Sequence, residues 1–267
     1  MKATDIIQKL TSELENTPQV KSFVVVGSQV RNRIYVASEY SDIEAYIIVD
    51  DNDVVQIQTQ LPDIVNRLGK VLFSYHNQWA GFSTVFEDLT RLELPLAKLS
   101  QLESVFSRPK AQEVRVIFDR TDGILQSALE KRTDKIDFEM FFQDLVKDFW
   151  YMAIVGVQYY KKGEIWNSRS VLQILQSSLI KLFELYNDPN ILLLETNKRI
   201  EQFLTKEQIA MLKEVSPGYE EQQVVLALKR IIDLYPQISQ QTKDKYKYSY
   251  DQQIEEEISR KLWQLLG

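Results

Sequence analysis

The sequence predicts an α+β fold, with a sheet and its helices in the first half and helices alone in the second. Two observations predict it. Six short runs rich in Val, Ile, Leu and Phe fall between residues 21 and 118. After about residue 136 these runs stop, and apolar residues recur at helical spacing instead. The switch argues for two domains, residues 1–135 and 136–267, with a cleft between them.

In the first half, residues 4–16 read as an amphipathic helix through Ile6, Ile7, Leu10 and Leu14. Residues 21–27 read as a strand. Its run Phe23, Val24, Val25, Val26 is too continuous for a half-exposed strand, so burial on both faces is expected. Residues 42–49 form a second strand and residues 53–68 a helix. Residues 71–75, 82–86 and 92–96 are three more strands, with Glu87-Asp88 as the turn between the last two. Residues 114–118 are the sixth, closed by Asp119.

In the second half, residues 138–161 carry a long helical pattern that stops at Gly163. A helix over 168–186 is closed by "NDPN". The helix over 205–215 opens with Thr205 and Gln208 at capping-box spacing. Helices over 220–241 and 250–266 complete the set, and the polar, tyrosine-interleaved stretch 240–250 between them reads as a solvated loop.

Composition excludes several chemistries. The chain of 267 residues has no cysteine, so disulfides, zinc thiolates and cysteine nucleophiles are ruled out. His76 is the only histidine, which rules out a multi-histidine metal site. The net charge of -6 argues against a non-specific nucleic-acid partner, which calls for a basic surface. It suits a cationic small molecule or a metal–nucleotide complex. The start MKATDIIQKL has no long apolar core, and the apolar-rich run from Phe149 to Tyr160 is too short to span a bilayer. A cytoplasmic protein without a membrane partner is therefore expected.

One constellation carries chemistry. The strand over 21–27 ends in Gly27-Ser28. Thirteen residues then separate Ser28 from Asp42, with Glu44 two positions further on the same strand face and Arg31 and Arg33 between. A third acidic residue, Glu93, lies inside "RLELPL". Gly-Ser at a strand-to-helix turn lets backbone N–H groups approach a phosphate. Two same-face carboxylates suit Mg²⁺, a hard ion that takes oxygen ligands. A third can complete the metal site or accept a proton from an attacking hydroxyl.

Gly-Ser followed by Asp-x-Glu in an apolar strand resembles the nucleotidyltransferase superfamily with the polymerase-β-like core. The stretches "YSDIEAYIIV", "FEDLTRLELPL", "VIFDRTDGIL" and "FWYMAIVGVQYYKKGEI" are most similar to two-domain lincosamide nucleotidyltransferases. They are more distantly similar to streptomycin 6-adenylyltransferases. The chain departs from the common pattern at Glu44 and Glu93, where Asp is frequent. Gln29 stands where the streptomycin enzymes carry Arg, and Asn32 where Gly is common.

The resemblance implies an N-terminal nucleotidyltransferase core on a mixed β-sheet, followed by an all-helical bundle that binds substrate. It implies transfer of AMP from ATP, or of another nucleotide from its triphosphate, to a hydroxyl of a small antibiotic, with pyrophosphate released. A lincosamide is the first expectation and an aminoglycoside the second. Asp42 and Glu44 would bind Mg²⁺, and Glu93 would serve as general base, metal ligand or both. Gly27 and Ser28, helped by Arg31, would hold the phosphates.

In "YYKKGEIWNSRS", Lys161 or Lys162 and also Arg169 would reach a phosphate, and Glu164 would meet the acceptor or fix the helix pair. Asp148 is a candidate acidic lining of the cleft. Trp79, Trp150, Tyr151 and Trp166 are candidate pocket walls. A homodimer is expected by the same resemblance. The rival expectations are a non-catalytic, regulatory nucleotidyltransferase-like module and a helical interaction protein.

Overall fold

An apolar run such as Phe23–Val26 needs cover on both sides, and here it has both. The protein is described by a computed structural model for residues 2–30, 37–38, 40–77, 81–107, 113–133, 135–194 and 200–267. The chain divides into two compact units, Met1–Asp134 and Lys135–Gly267.

In the first unit the run lies in β1 (Val20–Val26). Phe23 and Val25 face a core shared with α1 (Ala3–Glu15) and α2 (Val54–Leu68). Val24 and Val26 face a second core, built with Leu102 of α3 (Leu102–Val105) and with Leu125 and Ala128 of α4 (Ile124–Glu130). The next strand, β2 (Ile43–Val49), is divided the same way. Ile43, Ala45, Ile47 and Val49 point into the first core, and Ile48 with Tyr46 into the second. This alternation follows from the two-residue period of a strand.

The sheet is completed by β3 (Val71–Asn77), β4 (Gly81–Phe86), β5 (Arg91–Leu94), β6 (Leu96–Lys98) and β7 (Arg115–Asp119). Its order is β3-β4-β5-β2-β1-β7, with β6 also on β2. Strand β2 runs parallel to β5 and β6, and the other pairs are antiparallel. The single strand expected over 92–96 is two strands. Pro95 separates them because it has no N–H to give a ladder, while its carbonyl accepts from Ile47 N at 3.1 Å. The α+β class expected from sequence is met.

The second unit is helical among the described residues. Its long elements are α5 (Phe138–Lys161), α6 (Ile165–Asn187) and α8 (Glu221–Tyr246), joined by α7 (Lys206–Glu214) and α9 (Gln252–Leu266). Asp137 caps α5 by accepting from Met140 N, and the capping box of Thr205 and Gln208 opens α7. Helices α5 and α6 approach closely at Gly156. Its carbonyl accepts from Ser168 Oγ at 2.9 Å, and a Cβ there would meet Val171 at 3.1 Å. Phe149 stacks on Tyr235 of α8 with ring centroids 3.5 Å apart.

Two expectations change here. The stretch 240–250 is mostly helix, since α8 continues to Tyr246 and ends at Lys247 with φ 59°. Its polar residues are used: Thr242 Oγ1 donates to Ile238 O at 2.8 Å, and Tyr246 Oη donates to Tyr186 O at 3.1 Å. Trp150, expected as a pocket wall, is core.

A buried carboxyl also lies in this unit. Glu255 of α9 is fully buried, and Ser239 Oγ of α8 lies 3.0 and 2.9 Å from its two oxygens. Burial pushes its pKa up to about 7, against the pull of Ser239, Trp150, Tyr250 and the Lys243 charge. The Trp150 indole N–H is itself buried and falls outside hydrogen-bond geometry, so Ser239 is the firmer partner.

Candidate active site

Helices α3 and α4 cover only part of the second sheet face. Beyond the residues packed on these helices, the same face carries a polar row. Glu44 on β2 is directly opposite Glu93 on β5, and Glu93 is directly opposite Ser83 on β4. Laterally paired residues share a face, so two carboxylates and a hydroxyl form a line across three strands. Val26, the last residue of β1, is paired with Glu44 on the other side. Two like charges opposite one another on adjacent strands destabilise a sheet unless a cation or a proton intervenes.

The turn after β1 closes on the same row. Gly27–Gln29 forms one 3₁₀ turn, with Val30 N donating to Gly27 O at 3.1 Å. Gly27 has φ +68°, and a Cβ on it would stand 2.6 Å from Glu44 Oε2. Glycine is required on both counts. The turn is tied to the start of β2 by Gln29 Nε2, which donates to Asp42 O at 3.2 Å. Ser28 Oγ and Ser83 Oγ are both buried and have no hydrogen-bond partner among the described residues. A buried hydroxyl is rarely left so unless something else is to be bound.

Asp42 precedes β2 by one residue. Its Oδ2 accepts from Arg91 Nη2 at 2.9 Å, and its side chain is 18% exposed against 55% for Arg91. Among the described residues no group of three or more acidic or histidine side chains is gathered closely enough to enclose a cation. Gly27, Ser28, Asp42, Glu44 and Glu93 are thus brought to one end of one sheet, with Asp42 turned to Arg91. Arg31 and Trp79 lie outside the described residues.

The other expected residues belong to the helical unit. Asp148 is exposed on α5. Lys161 and Lys162 end that helix, each within 6 Å of a tyrosine ring, at 5.9 Å from Tyr160 and 5.7 Å from Tyr159. Glu164 Oε2 accepts from Asn167 Nδ2 at 2.8 Å. The Arg169 guanidinium lies 4.5 Å over the Tyr219 ring. His76 is on β3, with Nδ1 3.2 Å from Gln58 Nε2.

Sequence reasoning missed Ser83. Nothing marks a serine in an apolar strand as functional until the register puts it beside Glu93.

A family model described as streptomycin adenylyltransferase matches residues 1–264. Among solved structures, an aminoglycoside 6-adenyltransferase from Bacillus subtilis is 14% identical. The match covers 98% of this chain and 96% of that one, with a TM-score of 0.46. A nucleotidyltransferase-like protein from Exiguobacterium sibiricum is 13% identical over 91% of this chain and 78% of that one, with a TM-score of 0.38. No curated protein matches the chain. No helix among the described residues is long and apolar enough to cross a membrane.

Proposed function

The chain belongs to the streptomycin adenylyltransferase family, and from that premise we propose that it transfers AMP from ATP to a hydroxyl of an aminoglycoside in the cytoplasm. One observation carries the reaction class: Glu44 and Glu93 are paired across adjacent strands, beside a Gly27-Ser28 turn that has room for nothing larger than glycine. The family match favours an aminoglycoside over the lincosamide expected first.

The donor set fits a divalent cation in kind. Asp42, Glu44 and Glu93 offer only hard oxygen ligands, which suit Mg²⁺. Glu44 and Glu93 are the pair we assign to it, with Asp42 as the third ligand through the carboxylate it now shares with Arg91. The bound ion would supply charge neutralisation at the triphosphate.

The chain's own groups do the rest. Backbone N–H groups of the Gly27–Gln29 turn and the unpartnered Ser28 hydroxyl face the phosphates, with Arg31 as an added cation. Glu93 is the group we assign to accept the proton of the attacking acceptor hydroxyl, alone or while also holding the metal. The oxygen attacks the α-phosphorus, the bond to the β-phosphate oxygen breaks, and pyrophosphate leaves. Lys162, at the end of α5 beside the Tyr159 ring, is the cation of the helical unit that we assign to phosphate. Glu164 and Asp148 are assigned to the cationic groups of the acceptor. A homodimer is the assembly we expect.

Incubating the protein with MgATP and separate panels of aminoglycosides and lincosamides tests this reading. It expects a mass gain of one AMP on an aminoglycoside. Gain on a lincosamide alone would overturn the acceptor, and gain on neither would overturn the function.

A further inference from the structure

A folded protein normally packs its largest aromatic side chains, yet the helical unit leaves two of them outside and together. Trp166 and Tyr219 are each 69% exposed. Their ring centroids are 6.3 Å apart, with the planes inclined at 59°. The rings come from different elements, Trp166 from the first turn of α6 and Tyr219 from the segment that leads into α8. Neither is needed for the core, so the pair has no structural reason to be held.

Tyr219 nevertheless has contacts that hold it. Arg169, three residues after Trp166, lays its guanidinium 4.5 Å over the Tyr219 ring. The Arg169 Nε is buried with no hydrogen-bond partner among the described residues, so its contact with the ring is the one visible reason for its position. Behind them, Ser168 fastens α6 to Gly156 of α5. On the other side the Tyr219 segment is pinned by the capping box of α8. Glu220 N donates to Gln223 Oε1 at 3.3 Å, and a Cβ on Gly218 would stand 1.8 Å from that oxygen. Side chains locked from behind and exposed in front are the usual arrangement of a preorganised binding surface.

We propose that Trp166 and Tyr219 form the platform on which the helical unit binds the acceptor, a saccharide bearing cationic nitrogen groups; this rests on the function proposed above. The chemistry matches on three counts. Indole is the best side-chain face for a cation. An inclined aromatic pair presents flat apolar faces to the C–H surface of a sugar ring. Glu164, two residues before Trp166, carries a carboxylate braced by Asn167, ready for an ammonium or hydroxyl. Arg169 is a positioning residue that fixes Tyr219.

Steady-state kinetics with streptomycin and ATP test the platform. Trp166→Ala and Tyr219→Ala should each raise the streptomycin KM about tenfold, the worth of one desolvated cation–π contact. The ATP KM should stay within about twofold, since the rings serve only the acceptor. Trp166→Phe should recover most of the loss, and melting temperatures should hold because both rings are outside the core. An unchanged streptomycin KM, or a rise confined to ATP, would overturn the platform while leaving the proposed function standing. A wild-type protein that modifies no aminoglycoside would remove both.

Discussion

The two units treat carboxylates in opposite ways. In the sheet unit, Glu44 and Glu93 stand opposite each other on adjacent strands, next to a tight glycine turn and a buried, unpartnered serine. In the helical unit, Glu255 is fully buried, accepts from the Ser239 hydroxyl, and is pushed towards its neutral form by burial. The first arrangement sets two carboxylates side by side on one sheet face. The second removes charge by burial. The difference separates carboxylates placed together on a sheet from a carboxyl used as a hydrogen-bonding brace between α8 and α9.

The comparison breaks most visibly if the sheet carboxylates prove idle. Glu93→Gln should lower the rate of pyrophosphate release about a thousandfold, within the range for a lost general base or metal ligand. Its melting temperature should not fall, because the substitution removes a like charge from beside Glu44.

Glu255→Gln should do the reverse, changing stability and not the rate. The folded pKa of about 7 is raised above the ordinary carboxyl value of 4.5, mainly by burial. Stability from the neutral carboxyl is therefore complete below about 4.5 and lost as the pH rises through 7. The Gln variant should gain on wild type between pH 5 and pH 8 by on the order of 3 kcal/mol in urea unfolding. A difference that does not change with pH would contradict the assignment.

Gly27→Ala sharpens the picture of the turn. A side chain at φ +68° costs about 1–2 kcal/mol, and its Cβ would displace the Glu44 carboxylate. Both stability and turnover should drop, the latter measured at saturating ATP. The smallest effect is expected from Arg91→Ala. The pair with Asp42 is partly exposed, so its loss should change stability by less than about 1 kcal/mol. Released from Arg91, Asp42 should bind Mn²⁺ more tightly, which a paramagnetic titration would read.

Much of the sheet was legible because its signals are local. The run Phe23–Val26 predicts burial on both faces, and the i, i+2 spacing of Asp42 and Glu44 predicts a shared face. Pro95 was visible too, though its division of one strand into β5 and β6 follows only from both halves pairing with β2. Helices α3 and α4 were missed because four and seven residues hold too little periodicity to read. The last turns of α8, beyond residue 241, were missed because they are polar in sequence although Thr242 is buried. Within the site, the carboxylates announce themselves by type. Ser83 and the Arg91–Asp42 pair depend on register and on neighbours distant in sequence, which no spacing rule contains.

Central to the proposed function is a metal-dependent transfer carried by Asp42, Glu44 and Glu93. Pyrophosphate release by Asp42→Asn, followed in MgATP with an accepted aminoglycoside, tests it most directly. The account predicts that release falls to background while circular dichroism and the melting temperature stay those of wild type. Near-wild-type turnover in a folded Asp42→Asn protein would contradict it.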